Sequence, residues 1–108
     1  MEKDKPKKNT GKSVKATDMP DLTRKFSLTQ LGDALRAKRT GMGLKLVDLS
    51  TLLGISKPTL IKLEKGSPGF KFDNLLTVME FLGLSFSIKT DSVNNLTNES
   101  GNDNEQWY

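Results

Sequence analysis

The sequence contains no cysteine and no histidine. The first absence excludes disulfides and thiolate metal sites. The second removes the commonest general base and metal ligand. Aromatics make up 6% of the 108 residues and the hydrophobic set 34%, so the core must be small and one domain is the expectation. No apolar run approaches the roughly 18 residues that span a bilayer, and no membrane contact is expected. The opening residues, MEKDKPKKNTGK, are charged and lack the apolar stretch of a secretory signal. Paired carboxylates on a common face and a glycine-rich phosphate loop are also missing. These absences argue against an enzyme and against any metal or cofactor. They suit a cytoplasmic protein that binds rather than catalyses.

What is present is charge, unevenly placed. Residues 1–27 carry a balance of +4, residues 28–90 another +4, and residues 91–108 a balance of −4. A basic body with an acidic end points to two partners of different character.

The stretch that organises the chain is LKLVDLSTLLGISKPTLIKLEKG, residues 44–66. Leu46, Leu49 and Leu53 fall on one face of a short helix, which Gly54 can stop in a left-handed conformation. Ile55 can plug the corner that follows. Ser56 is an N-cap candidate for a second helix, with Pro58 in its first turn, where a missing N–H costs little. Thr59, Leu60 and Leu63 supply an apolar back. Lys57, Ile61, Lys62 and Lys65 form the front, and Gly66 ends the helix. A short helix with an apolar back and a basic front, set at an angle by a brief turn, has the geometry of a major-groove reader.

These residues resemble the helix-turn-helix of the XRE/Cro family. Leu49, Leu53, Gly54, Ile55, Ser56, Thr59, Leu60, Leu63, Glu64, Lys65 and Gly66 fit that family's order and spacing. One departure concerns function: the Thr-Gln that usually opens the first helix of the pair is Lys45-Leu46, so the DNA contact of that Gln is missing. The resemblance implies binding to double-stranded DNA through Lys38, Lys45, Ser56, Lys57, Thr59, Lys62 and Lys65. It also implies an ion pair between Arg39 and Glu64.

Around the motif, the expected fold is all-α, a small bundle of four to five helices. Residues 1–26 are lysine-rich, broken by Pro6, Gly11 and Pro20, and read as a disordered basic arm. A helix is predicted from about Ser27 to Thr40, with Leu28, Leu31 and Leu35 inward, and Arg36, Lys38 and Arg39 near its end, where cations suit the helix dipole. Another is predicted from about Phe72 or Asp73 to Leu82, on the period of Leu75, Val78, Met79 and Leu82. Residues 84–90 then alternate apolar and polar, as a half-buried strand does. A lone strand leaves its backbone unpaired. Pairing with the same strand of a second copy, with Leu84, Phe86 and Ile88 at the interface, resolves this. The domain is thus placed at residues 27–90. Residues 91–108 read as a disordered acidic tail. Trp107 and Tyr108 at its end are the favoured anchors of a protein contact.

The whole from about Leu28 to Thr90 is similar to the HipB-type antitoxins, a branch of the same family. That resemblance implies a homodimeric repressor of its own operon which also binds a kinase-fold toxin of the HipA type. A free-standing or phage-type repressor without a toxin, and an interaction module that has lost DNA binding, are the alternatives. Leu46 is the best support for the last.

Overall fold

A computed structural model describes residues 13–91. The first helix, α1, runs Leu28–Gly41. Ser27 starts it: its Oγ accepts the Gln30 N–H at 3.0 Å, satisfying one of the donors that a helix start leaves free. Leu31, Ala34 and Leu35 turn inward and are buried. Lys38 and Arg39 occupy the last turn.

The pair of short helices follows as expected. The first, α2, spans Leu46–Leu53 and the second, α3, spans Lys57–Glu64. In place of a capping Thr, α2 begins at Lys45, whose backbone N–H donates to Asp48 Oδ2 at 2.8 Å. Gly54 ends α2 with φ 68°, a left-handed conformation that costs glycine little. Ile55 is buried in the corner. Ser56 caps α3 by accepting the Thr59 N–H at 3.3 Å. The last helix, α4, spans Phe72–Leu82. Its Leu75, Val78, Met79 and Leu82 meet Leu31, Leu35, Leu49, Ile55, Leu60 and Leu63 in one core. The residues expected to point inward do so.

The crossing of α1 and α3 is unusually close. A Cβ added at Gly32 would sit 2.4 Å from the Glu64 carbonyl oxygen and 2.9 Å from that of Leu63, and one at Gly66 would sit 2.8 Å from the Leu28 carbonyl oxygen. Glycine inside a helix costs about 1 kcal/mol relative to alanine. At Gly32 the missing side chain is what lets the two backbones touch.

Two expectations are refined. Residues 13–26 carry no helix or strand, but they are tied to α1 as a strap. Thr17 N–H donates to Thr40 Oγ1 at 3.0 Å. Gln30 Nε2 donates to the carbonyl oxygens of Asp21 at 3.0 Å and Arg24 at 3.2 Å. Between these ties, Asp21 Oδ1 accepts from the Thr23 hydroxyl at 2.6 Å and the Thr23 N–H at 2.9 Å. Those bonds hold the Asp21 carboxyl below the usual carboxylate range. The strap runs antiparallel to α1, so the arm expected over residues 1–26 is fastened to the domain in its second half. Residues 1–12 lie outside the described residues.

The second refinement is at the other end. Among the described residues there are four helices and no strand. After Gly83, the Leu84 N–H closes α4 on the Met79 carbonyl at 2.8 Å, and Leu84 packs on the core. Residues 85–91 then run exposed. A strand needs a second edge, and one protomer offers none. Residues 92–108, with Trp107 and Tyr108, lie outside the described residues.

Candidate nucleic-acid interface

α3 presents two different sides. Leu60 and Leu63 are buried against the core, whereas Lys57, Lys62 and Lys65 are exposed and Ile61 is half-buried between them. The only acid from Ser56 to Gly66, Glu64, is turned the other way and buried. Arg39 Nε donates to its Oε2 at 2.6 Å and Arg39 Nη2 to its Oε1 at 2.9 Å. Arg36 Nε adds a third bond to Oε1 at 3.4 Å. The carboxylate is therefore neutralised from behind, and the front of α3 carries positive charge alone. A surface of this kind attracts a polyanion.

Arg39 does a second job. Its Nη1 donates to the Leu44 carbonyl at 2.7 Å. One guanidinium thus fixes the end of α3 and the start of α2 together, using the rigid fork that lysine lacks.

The N-terminus of α3 is exposed, and its amide groups and dipole favour a phosphate there. Ser56 and Lys57 sit at that end. Thr59 is more engaged than expected. Its hydroxyl lies 2.9 Å from Ser56 Oγ, and its side chain is half-buried, so it braces the cap. Lys45, at the start of α2, is exposed and extends the basic surface toward the corner between α1 and α2.

Lys38 lies apart from this front. A Cβ added at Gly83 would be 3.7 Å from its Nζ, so its ammonium reaches the carboxyl end of α4, where the helix dipole favours a cation. Leu46 is half-buried and packs on the core, and no polar side chain takes the place of the usual Gln. Sequence reasoning missed Arg36 as a second cation on Glu64. It also missed Gly32, although a glycine in the middle of a helix is a recognisable sign of close packing.

At the start of α4, aromatic residues gather. Phe86 stacks on Phe72, with centroids 6.0 Å apart and planes at 17°, and meets Phe26 of the strap edge-on at 6.0 Å. All three are exposed, as are Leu76, Phe81 and Ile88, the last with 98% of its surface in solvent. Leu84 is the one expected interface residue that is half-buried within the protomer.

The helix-turn-helix family HTH_3 matches residues 35–89, 55 of the 108 residues. A chain of the solved "HipB-O4 20mer complex" superimposes with a TM-score of 0.55 at 22% identity, covering 62% of this chain and 94% of that one. At that identity the likeness is one of fold. No curated protein matches the sequence.

Proposed function

From the premise that the chain belongs to the XRE-type helix-turn-helix family of DNA-binding regulators, we propose that it is a sequence-specific repressor. It acts as a homodimer and reads its operator with α3. The observation that carries this reading is the exposed basic front of α3 backed by a neutralised Glu64. Lys57 and Lys62 lie where side chains reach base edges and groove walls. Ser56, Lys45 and Lys65 lie where phosphates pass. Phosphate contacts set register, and base contacts set sequence. The structural relative with an O4 20mer supports the same reading.

The dimer is supported by the apolar surface of Phe72, Phe86 and Ile88, which one protomer leaves in solvent. Large exposed apolar surfaces mark interaction sites. Pairing of residues 84–90 with the same residues of a second copy would satisfy their backbone as well. Two copies about a two-fold axis present two α3 helices to half-sites about 34–36 Å apart.

The partner proposed beyond DNA is a kinase-fold toxin of the HipA type, as for the HipB-type antitoxins that this chain resembles. Trp107 and Tyr108, the only Trp and Tyr, are the proposed anchors for it. The test is affinity purification of the chain from its host, with identification of the bound DNA and protein. DNA from its own promoter with a kinase-like protein supports both halves. DNA alone supports a free-standing repressor. Protein alone supports an interaction module, the reading that Leu46 favours.

A further inference from the structure

The helix-turn-helix lacks most of the side chains that read bases by hydrogen bonds. From Thr40 to Asp73 the sequence holds no Asn, Gln or Arg. Asn and Gln pair with an adenine edge through two bonds, Arg does so with guanine, and a carboxylate accepts from cytosine N4. The one carboxylate of α3, Glu64, is buried on Arg39. The hydroxyls at the start of α3 are engaged with each other. Ser56 Oγ accepts the Thr59 N–H at 3.3 Å and lies 2.9 Å from Thr59 Oγ1. Hydrogen bonding to bases is thus left to Lys57 and Lys62.

Two apolar residues stand among these cations. Pro58 is exposed and Ile61 is half-buried. Among the described residues, Ile61 is not one of the half-buried apolar side chains that pack against the core. Neighbours on a helix surface lie three and four residues apart. Pro58 and Ile61 therefore adjoin each other. Ile61 lies between Lys57 and Lys65, and Pro58 lies beside Lys62. An apolar pair framed by three lysines, with no acid on the same side, is complementary to DNA in two ways. Phosphates attract the lysines. The C5-methyl of thymine is the apolar group that a major groove displays.

We propose that Pro58 and Ile61 are specificity-determining residues that read thymine by its methyl group. This rests on the DNA-binding reading above, in which α3 lies in the major groove. The lysines draw the helix in, and the apolar pair then covers thymine methyls that would otherwise stay in water. Part of the operator is therefore selected by apolar contact rather than by hydrogen bonds.

The test uses the full chain and a duplex that it selects from a random-sequence pool. Each thymine of the selected site is replaced in turn by deoxyuridine, which lacks only the C5-methyl. At one or more thymines, binding should weaken by about 4-fold, as for one apolar carbon returned to water. Pro58→Ala and Ile61→Ala, each checked for its fold by circular dichroism, should lose that effect at the thymine the missing side chain covers. Thymine and uracil then bind alike there. A selected site without thymine, or one that tolerates deoxyuridine at every thymine, overturns the proposal and leaves the DNA-binding reading standing. A uracil effect that persists unchanged in both variants overturns the assignment to Pro58 and Ile61. If the full chain enriches no duplex over the starting pool, the DNA-binding reading itself fails and this proposal falls with it.

Discussion

Arg39 and Glu64 face each other fork to fork across the end of α1 and the end of α3, at 2.6 Å and 2.9 Å, with both side chains at most 9% exposed. Such a bidentate pair fixes orientation as well as charge. Removing one partner strands the other away from water. Glu64→Gln is expected to cost about 3–5 kcal/mol and to lower Tm by roughly 12 °C or more. Arg39→Met combined with Glu64→Leu should recover much of the loss, because a whole buried pair can often be replaced by apolar groups at little cost. Thermal melts of the three proteins decide it. A single variant that melts with the parent would refute the argument.

Gly32→Ala is expected to destabilise the domain by about 1–3 kcal/mol, as overpacking does, despite alanine's better helix propensity. The added Cβ would meet backbone at 2.4 Å, which cannot swing aside as a side chain does. Gly41→Ala, in the same helix but with nothing within 4 Å, is the control. It should be neutral or stabilising by up to about 1 kcal/mol. Denaturant titrations giving equal effects at the two positions would rule out the close crossing.

Lys62→Ala is expected to weaken binding to the chain's own promoter. If Lys62 meets a base edge, discrimination at one operator position falls by about 1–3 kcal/mol. If it meets a phosphate, all sequences weaken alike and the salt slope drops by about 1. Competition against operator variants at several salt concentrations separates these outcomes. Unchanged affinity in every condition would place Lys62 away from DNA.

Phe86→Lys is expected to give a folded monomer with lost operator binding and a lower Tm, because dimerisation and the ring contacts to Phe72 and Phe26 both stabilise the parent. Phe86 is 42% exposed, so the substitution leaves the protomer's own core intact. Sedimentation of parent and variant reads the result directly. A parent that is monomeric at the concentrations where it binds DNA would sink the dimer.

Deleting residues 106–108 should weaken binding to the co-purified protein partner and leave DNA binding as it was. Calorimetry with that partner is the measurement. Equal affinity of the two chains would remove Trp107 and Tyr108 from the interface.

The four helices were legible because each carries its own punctuation. Ser27, Ser56, Gly54 and Gly83 sit at helix ends in the sequence and cap those helices in the structure. The leucine periods then identify the buried sides. The strap was not legible, because nothing local shows that the Thr17 N–H will meet the Thr40 hydroxyl, 23 residues away. Polar contacts of that range follow from the path of the backbone, not from periodicity. Lys38 shows the same limit. Its place beside Lys45 and Lys57 in a tally of cations says nothing of which way α1 turns it.

The close seat of α3 has a consequence for change. Its back is fixed by Leu60 and Leu63, its end by Glu64, and its angle by the bare backbone of Gly32. Lys57 and Lys62 take no part in that seat. On the proposed reading they form an interchangeable reading head on a standing mount. A new pair of residues there should redirect the protein to a different operator without asking the rest of the domain to refold.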